Sequence, residues 1–529
     1  MDFLLLISII FYLTISIIYI KKSKNKLLPF EGAIKLNKSV IIVGAGIGGL
    51  ATAVKLLSKG YNVTIYEKNT RIGGRVNLIE TDSFRFDLTA SILMTPEIYK
   101  DVFRYVGKDY KDYINFIDLD PIYRAFYFDG THFDLFRDIG KLTESLEALS
   151  KKDSIGYYKF LSKVYEKYLI ANKYFLNNSF NQPLDFFNFV SLQKMLKINT
   201  FSNAYSHISS YIDNDNLRNL IAFQSLYVGI SPFDGPNIYN LVPTISQLYG
   251  LTHLEGGMYS YIEALEKMIY EFGGKIITDT PVEEIVIENG SATGIKSKSG
   301  IDKADIVVCN ADFPYAIKEL IKDNEAKGKY TDKKISKMKY SCSTFIMHLG
   351  LKKKYPKLSV HNIYIGDDFE KNIQSAFFKN LPENPSLYIY CPSKIDDTMA
   401  KEDTECMNIT VRVPNLLSND ITWNEETINK MKDRVFAQLS NIEGLSDIQE
   451  NIIYESVTTP YDMLTRFNSY GGTSFGLSPT LLQTNYFRPH IKSPTVDDLY
   501  FVGNSVHPGT GISIVLLSSK LVAEEILKE

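Results

Sequence analysis

Long apolar runs with few polar breaks mark the beginning of the chain. From Phe3 to Ile20 the sequence holds 18 uncharged residues in a row. That length is near the lower limit for crossing the hydrocarbon core of a bilayer. Four lysines follow directly, at positions 21, 22, 24 and 26. The pattern predicts a transmembrane helix that leaves the lysines and the rest of the chain on the cytoplasmic side.

The same apolar run has two other interpretations, a cleaved signal peptide and a segment that lies on or in the protein surface. A signal peptide would begin with a positive region and end at small residues, and the sequence has neither feature. We therefore expect a single-pass anchor in the membrane, followed by a short basic linker that ends near residue 37.

Beyond the linker the apolar pattern predicts a strand, a helix and a second strand. Lys38 to Val43 has the composition of a buried strand, Leu50 to Ser58 that of a helix, and Asn62 to Tyr66 that of another strand. A glycine-rich loop, G-x-G-x-x-G, separates the first strand from the helix, and Glu67 ends the second strand. This order predicts a dinucleotide-binding βαβ unit.

The residues of the glycine loop have separate physical roles. Gly44 permits the tight turn, Gly46 lets the backbone approach a pyrophosphate, and Gly49 lets the helix pack closely on the strand. Gly48 comes just before the predicted helix, whose N-terminus offers free N–H groups and a partial positive charge to phosphates. The Glu67 carboxylate can accept hydrogen bonds from ribose hydroxyls. The loop alone does not distinguish NAD from FAD.

Composition excludes several classes of protein. A length of 529 residues predicts two or three domains. The net charge of −3 argues against nucleic acid as a partner, because phosphate binding needs an excess of Lys and Arg. The four cysteines form no C-x-x-C pair and the seven histidines no H-E-x-x-H, so neither a metal site nor a disulfide framework is predicted. A reducing compartment facing the cytosol fits this cysteine usage.

A second glycine motif follows Glu67. It reads R-x-G-G-R, from Arg71 through Gly73 and Gly74 to Arg75. A paired-glycine turn lets the chain pass against a bound cofactor. The order of the glycine loop, the strand-end acid and this motif resembles the flavoproteins that include amine oxidases, protoporphyrinogen oxidases and carotenoid desaturases. The resemblance implies FAD, and the sequence contains no second G-x-G-x-x-G that would indicate an NAD(P)H domain.

Further motifs are similar to those of the carotenoid (phytoene) desaturases, from residue 38 to the C-terminus. The most specific is Y-F-V-G-x-x-x-H-P-G-x-G, near the end of the chain. The matching segments are Ser83–Asp87, Pro121–Leu135, Leu217–Tyr239, Glu255–Met258, Gly273–Ile285, Asn310–Asp312, Thr484–His490 and Leu499–Gly511.

This resemblance implies which residues hold FAD, with Val282 at the position that contacts adenine. Asn504 follows Gly503 where many relatives have Asp, and an amide supplies a donor and an acceptor but no charge. Lys194 stands where relatives often have an acid, so no acid–base role is carried over to that position. The implied cofactor-binding residues are Gly44, Gly46, Gly48, Gly49, Glu67, Arg71, Gly73, Gly74, Arg75, Val282, Gly503, Asn504, Gly511 and Ile512.

The implied fold class is α/β with two discontinuous domains after the transmembrane helix. A Rossmann-like FAD-binding domain of the amine oxidase and carotenoid desaturase type would use residues 38–125, 250–312 and 455–529. A substrate and membrane-contact domain of α+β type would use 126–249 and 313–454. Within it, Phe186 to Phe201 is either a helix that dips into a bilayer surface or a lid packed on the core.

The activity implied by the resemblance is desaturation of a linear carotenoid precursor, phytoene or diapophytoene, by hydride transfer from an allylic carbon to the flavin. Binding such a lipophilic polyene depends on burying apolar area. The polyene itself would come from a membrane. Quinone or oxygen would accept the electrons. His507 is the candidate proton acceptor, and the alternative is that it only positions its loop.

Other functions on the same scaffold stay open. Carotenoid isomerases, saturases, ketolases and terminal oxidases share the flavin-binding motifs. An amine or protoporphyrinogen oxidase would differ in its substrate. A Rab escort or GDI-type protein would bind prenylated partners without FAD, and the intact glycines and Glu67 argue against it.

Overall fold

The computed structural model describes residues 38–198, 202–378, 380–417 and 421–529. The segment predicted to be a transmembrane anchor lies outside these residues. Within these four ranges no helix is both long enough and apolar enough to cross a bilayer.

The strands of the described residues contribute to five sheets. They are β1 Ser39–Val43, β2 Asn62–Tyr66, β3 Leu78–Glu80, β4 Arg85–Asp87, β5 Leu93–Met94, β6 Phe116–Asp118, β7 Tyr123–Tyr127, β8 His132–Leu135, β9 Leu251–Leu254, β10 Lys275–Ile277, β11 Val282–Glu288, β12 Ser291–Ser297, β13 Gly300–Lys303, β14 Ile306–Cys309, β15 Ser343–Leu351, β16 His361–Ile365, β17 Leu387–Tyr390, β18 Glu405–Val413, β19 Ile452–Thr458 and β20 Leu499–Phe501.

The α-helices are interspersed among the strands along the whole chain. They are α1 Ile47–Leu57, α2 Pro96–Tyr105, α3 Ile139–Leu149, α4 Lys151–Ala171, α5 Pro183–Phe186, α6 Phe189–Ile198, α7 Ala204–Ser209, α8 Asp215–Phe223, α9 Leu241–Tyr249, α10 Tyr259–Glu271, α11 Phe313–Tyr315, α12 Asp332–Lys337, α13 Phe369–Ser375, α14 Glu425–Leu439, α15 Pro460–Phe467 and α16 Ile512–Ile526.

A parallel five-stranded sheet forms the centre of the first core. Its order is β10-β2-β1-β14-β20, and every neighbouring pair is parallel. Helix α1 packs against α10 and α16 beside it. Strand β14 is buried throughout, as expected for a parallel strand covered on both faces. Helix α1 begins at Ile47, before the predicted start at Leu50, because two loop glycines form part of its first turn.

A seven-stranded sheet forms the second core. Its order is β19-β15-β18-β17-β16-β7-β8, and all pairs are antiparallel except β16 with β7. Apolar clusters cover both faces, one built with α3, α4 and α8 and the other with α14. The domain boundaries predicted at 125 and 455 lie inside strands β7 and β19 of this sheet.

Candidate functional site

A cavity of about 840 Å³ runs from the carboxyl ends of the parallel strands to the seven-stranded sheet. At the first end it is lined by residues that end or directly follow β1, β2, β14 and β20. Ligands of open parallel sheets bind at this edge. Thr344, Tyr388 and Arg412 line the cavity from the seven-stranded sheet. The cavity therefore joins the two cores.

The backbone of the glycine loop after β1 packs so closely on its neighbours that side chains would not fit there. Gly44 has φ +97° and donates its N–H to the Tyr66 carbonyl over 2.7 Å. A Cβ on Gly49 would lie 2.4 Å from the Gly44 oxygen, and one on Gly46 would lie 2.8 Å from Asn310 Oδ1. Gly44, Gly46 and Gly48 line the cavity, whereas Gly49 lies behind them and makes room for the loop itself.

The Glu67 carboxylate lies at the wall of the cavity and is buried. Its Oε2 accepts the Ala45 backbone N–H over 2.8 Å, and its Oε1 accepts two N–H groups of Asn69 over 3.0 Å each. An ionised carboxylate offers about four acceptor sites. One site is left for a hydroxyl in the cavity, where Val282 also contributes to the lining.

The second glycine motif packs on the first. Gly73 donates its N–H to the Ala45 carbonyl over 2.8 Å, and a Cβ on Gly74 would lie 3.3 Å from Gly46 Cα. Arg75 donates to the Ser474 carbonyl over 3.0 Å. The glycines and Arg75 all line the cavity.

Arg71, which the motif also assigned to the cofactor, lies outside the cavity lining. Its guanidinium points toward the exposed Glu80 carboxylate, 3.9 Å away, and lies 5.9 Å from the centre of the Tyr259 ring. Two arginines of one motif thus point in different directions. This arrangement supports a role for Arg75 at the site and none for Arg71.

The segment after β20 supplies the other wall of the glycine-lined end. Gly503, Asn504, Gly511 and Ile512 all line the cavity, as expected. Gly511 is the N-cap of α16, so this helix and α1 both direct their N-termini at the cavity. Free N–H groups at helix N-termini bind phosphates.

Asn504 provides a test of whether a cofactor fits. Its Nδ2 is buried and has no hydrogen-bond acceptor within the part of the chain that the structure describes. An unpaired buried donor costs about 1–3 kcal/mol, and an acceptor on a ligand in the cavity would satisfy it. Together with the free Glu67 site and the two helix N-termini, the residues fit a dinucleotide such as FAD.

Arg488 holds this segment in place. Its side chain is fully buried, donates to the carbonyls of Gln483 over 3.0 Å, Val506 over 3.2 Å and Leu477 over 3.3 Å, and also bonds the Asn504 carbonyl. Burial lowers its pKa to about 10. Arg488 lies in the segment Thr484–His490, which resembles the carotenoid desaturases, and its four carbonyl partners give it a structural role.

His507 does not line the cavity. Its Nε2–H donates to the Asn178 carbonyl over 2.8 Å, and its ring packs edge-on against Phe180, with centroids 5.1 Å apart. Burial lowers its pKa to about 4, which keeps the ring neutral. These contacts favour the alternative that His507 positions its loop.

Beyond the glycine-lined end, the cavity is lined largely by apolar and aromatic side chains. This part, the apolar half, is bordered by Thr344, Thr410 and Arg412 of the seven-stranded sheet. Among the described lining residues of the whole cavity the carboxylates are Glu67 and Asp312, and both belong to the glycine-lined end. Asp312 accepts from Ser505 Oγ over 2.9 Å and from the Tyr470 N–H over 3.0 Å. The apolar half is lined by Tyr168, Phe175, Leu192, Met195, Tyr227, Tyr239, Leu241, Val242 and Ile245, among others.

Several site residues were missed by sequence reasoning because they come from the seven-stranded sheet. Thr344, Tyr388, Thr410 and Arg412 line the cavity from β15, β17 and β18. The one local signal was an arginine within the otherwise uncharged end of β18, NITVRV, in a strand whose residues are mostly buried.

Three features together define a flavoprotein oxidoreductase. They are a parallel sheet with a glycine loop, two helix N-termini directed at one end of a cavity, and an apolar wall at the other end of that cavity. A family model described as flavin containing amine oxidoreductase matches residues 47–527. The 4,4'-diapophytoene desaturase (4,4'-diaponeurosporene-forming) of Staphylococcus haemolyticus is 39% identical over 494 residues, covering 93% of this chain and 99% of that protein. The desaturase of the same name from Staphylococcus aureus is 37% identical over 495 residues, with the same coverage.

The chain therefore belongs to the flavin-containing amine oxidoreductase family, within the group of phytoene and diapophytoene desaturases, and its cofactor is FAD. The resemblance inferred from the motifs is confirmed. Solved structures show the same fold at low identity. An oxidoreductase from Methanosarcina mazei has a TM-score of 0.61 at 17% identity, covering 93% of this chain and 100% of that one. A putrescine oxidase bound to putrescine has a TM-score of 0.60 at 12% identity, with the same coverage.

Proposed function

We propose that this chain desaturates 4,4'-diapophytoene, the C30 linear carotenoid precursor, with FAD as the hydride acceptor. Relatives that are 37–39% identical carry this substrate in their names, and the chain spans 99% of their length. The broader activity, FAD-dependent oxidation of a CH–CH bond in a linear carotenoid precursor, follows from membership of this group.

The observation that carries the proposal is an apolar half-cavity continuous with the glycine-lined end. A hydrocarbon has no hydrogen-bonding group, so its binding rests on buried apolar area at about 25 cal/mol per Å². An amine substrate would bring a cation that needs a carboxylate partner. The described lining of the apolar half offers none, which favours a hydrocarbon over an amine.

Residues at the glycine-lined end of the cavity hold the cofactor, and residues of the apolar half hold the polyene. Bound FAD supplies the hydride acceptor. The glycine loop, Glu67 and the N-termini of α1 and α16 hold the dinucleotide, and Arg75 and Arg488 fix the segments that surround it. Aromatic side chains such as Tyr227 and Tyr239 orient the polyene and exclude water.

An apolar rim surrounds the outer end of the cavity. Leu192, Met195, Leu196, Leu481, Leu482 and Phe487 both line the cavity and are exposed. Phe189 on α6 is 67% exposed and Leu482 is 76% exposed. Exposed apolar patches of this kind mark membrane or protein contacts. We assign the rim to the bilayer, so that the substrate enters the cavity without crossing water.

The segment from Phe186 to Phe201, predicted either to dip into a bilayer surface or to form a lid, has two parts among the described residues. Phe186 is buried and stacks on Tyr486, with ring centroids 6.0 Å apart. Helix α6 then turns Phe189, Val190 and Leu196 outward. The buried part fixes the helix on the protein, and the exposed part contributes to the rim.

The rim agrees with membrane attachment through residues 1–37. In this proposal the anchor crosses the bilayer once and the folded part stays on the cytoplasmic face. A quinone in the membrane, or oxygen, reoxidises the flavin. The FAD-binding part comprises 38–125, 250–312 and 455–529, and the substrate and membrane-contact part comprises 126–249 and 313–454.

Expression in cells that accumulate either diapophytoene or phytoene tests the substrate. The expected result is new pigment of longer conjugation in the diapophytoene host, read by absorbance and chromatography. Pigment in the phytoene host alone would replace the C30 substrate with a C40 substrate. No new pigment in either host, from a protein that contains flavin, would favour an isomerase, saturase, ketolase or terminal oxidase.

A further inference from the structure

Arg412 lines the cavity and is partly exposed to it, and among the described residues its guanidinium forms neither a side-chain hydrogen bond nor an ion pair with a carboxylate. Its cation lies over the Phe475 ring, 5.0 Å from the centroid. Arg124, on β7 of the same sheet, instead forms two bonds of 2.7 Å to the Asp134 carboxylate. A guanidinium carries five N–H donors. That of Arg412, half-buried at the cavity wall, therefore differs from that of Arg124 in having no carboxylate partner among the described residues.

The position of Arg412 is the boundary between the two halves of the cavity. On one side it pairs in register with Thr344, whose Oγ1 lies 2.8 Å from Ser474 Oγ. The Ser474 carbonyl accepts from Arg75 of the glycine-lined end. On the other side the nearest phenols are those of Tyr227 and Tyr388, which line the apolar half. The guanidinium thus lies where a cofactor and a hydrocarbon would meet.

A hydrocarbon substrate has no group that could pair with the Arg412 guanidinium. A polyene has no anionic group, and a positive charge in the wall disfavours positive charge that develops on the polyene. Desolvation at the cavity wall lowers the pKa of the guanidinium. The remaining occupant of the cavity is the flavin, whose ring is neutral when oxidised and anionic when it holds the hydride.

We propose that Arg412 is the counter-charge for the reduced flavin, so that it raises the reduction potential of the bound cofactor. Two C–H bonds of the substrate break. One hydrogen leaves with both electrons as hydride to FAD, and the neighbouring hydrogen leaves as a proton to solvent while its electron pair forms the new double bond. Arg412 would compensate the negative charge that the reduced flavin gains. The inference rests on the proposed function only through bound FAD, because it does not depend on which polyene is oxidised.

A structural role makes the opposite prediction for stability. If Arg412 served to pack on Phe475, its cation–π contact would stabilise the fold, and Arg412→Met would lower the melting temperature of the FAD-free protein. If it is a counter-charge, the same variant removes a half-buried cation that has no carboxylate partner in the FAD-free protein. The FAD-free variant should then melt at the same temperature as the unaltered protein, or higher.

The experiment measures the two-electron potential of the flavin in the full chain, by equilibration with a reference dye. We expect Arg412→Met to bind reduced flavin about tenfold more weakly relative to oxidised flavin, which is a potential about 30 mV lower. Arg412→Lys, which keeps the charge, should recover most of the difference. The matched control is Arg434→Met, which removes an arginine that donates to the Leu381 and Pro382 carbonyls away from the cavity.

A potential for Arg412→Met equal to that of Arg434→Met would overturn the proposal, as would a lower melting temperature of the FAD-free variant with no change in potential. If Arg412→Met loses FAD during purification, titration of the FAD-free protein with oxidised and with reduced FAD gives the same ratio of affinities. No polyene enters the measurement. A shifted potential in a protein that makes no pigment would therefore retain this inference and reject the proposed desaturation.

Discussion

The backbone N–H of Ala45 donates to the carboxylate of Glu67 over 2.8 Å. This bond joins the glycine loop after the first strand to the acid that ends the second strand, and it holds the carboxylate at the wall of the cavity. Two N–H groups of Asn69 fix the other oxygen. The acid is therefore positioned before any ligand binds, which reduces the conformational cost of binding.

Removing this carboxylate should weaken FAD binding without unfolding the protein. Hydrogen bonds to charged groups contribute about 1.5–3 kcal/mol, so Glu67→Ala should raise the dissociation constant of FAD about tenfold to a hundredfold. Titration of FAD-free protein, followed by flavin fluorescence, measures it. The control Glu80→Ala removes an exposed acid paired only loosely with Arg71. Equal affinities of the two variants for FAD would contradict the role of Glu67.

A methyl group on Gly49 should displace the glycine loop. Its Cβ would lie 2.4 Å from the Gly44 oxygen, closer than atoms approach in folded proteins. We expect Gly49→Ala to be purified with little FAD and a lowered melting temperature. Gly140→Ala in α3 is the control, because its Cβ would meet a flexible side chain of Asp138 at 3.2 Å. The interpretation fails if Gly49→Ala retains a full complement of flavin.

Arg488→Met should destabilise the segment after β20. The variant leaves four buried carbonyls without their donor, and each unsatisfied group costs about 1–3 kcal/mol. We expect a loss of about 3 kcal/mol or more in the free energy of unfolding, measured by denaturant titration. Arg434→Met, which frees only two carbonyls in a partly buried site, should lose less. Similar losses in both variants would argue against a special role for Arg488.

Mild acid should destabilise the protein through buried neutral histidines. Burial lowers the pKa of His348 and His507 to about 4 and that of His361 to about 3, from 6.5. The unfolded chain then binds more protons than the folded one. Their contribution to stability is full above pH 6.5 and falls as the pH drops toward 4. Asp87 acts in the opposite direction, because burial raises its pKa to about 6.

The measurement is the melting temperature as a function of pH between 7.5 and 4.5, with and without His348→Gln. Glutamine can keep contacts to Asn408 and Thr458, which lie 3.1 and 3.2 Å from the ring nitrogens. The variant should show a shallower decline, because one titrating group is gone. A melting temperature that is flat across this range, or identical slopes, would contradict the assignment.

The apolar rim should bind membranes when residues 1–37 are removed. In protein lacking residues 1–37, the double variant Phe189→Ser, Leu196→Ser should float with lipid vesicles less than the parent does, by about tenfold in partition, because two large exposed side chains are lost. The matched control is Ile301→Ser, Ile453→Ser, which removes apolar residues 57% and 56% exposed outside the rim. Equal flotation of both double variants would exclude the rim as a membrane contact.

The sequence was sufficient for the features that depend on neighbouring residues. The strands at residues 39–43 and 62–66 and the glycine loop between them were predicted closely. Their signals are local, because apolar alternation, a tight turn and a strand-end acid all lie within 30 residues of one another. Family membership and FAD followed from the same short motifs.

The direction of single side chains within those motifs was decided by tertiary structure. Arg71 and Arg75 stand four residues apart in one motif, yet only Arg75 faces the cavity. His507 lies in the most specific motif of the chain and is held by Asn178, a residue far away in sequence. A motif gives the residue type, whereas the partner depends on which segments pack against it.

The strand order of the seven-stranded sheet, and with it the place of Arg412 in the cavity wall, could not be predicted from the sequence either. Strand β7 pairs with β16, more than two hundred residues later, and β18 lies between β15 and β17. Local periodicity does not specify such pairings, because closing long loops costs entropy that is recovered only when complementary apolar faces meet in the whole fold. The sequence thus determined the glycine loop and the acid that line one end of the cavity, and the tertiary structure alone decided which groups of the distant sheet line it too.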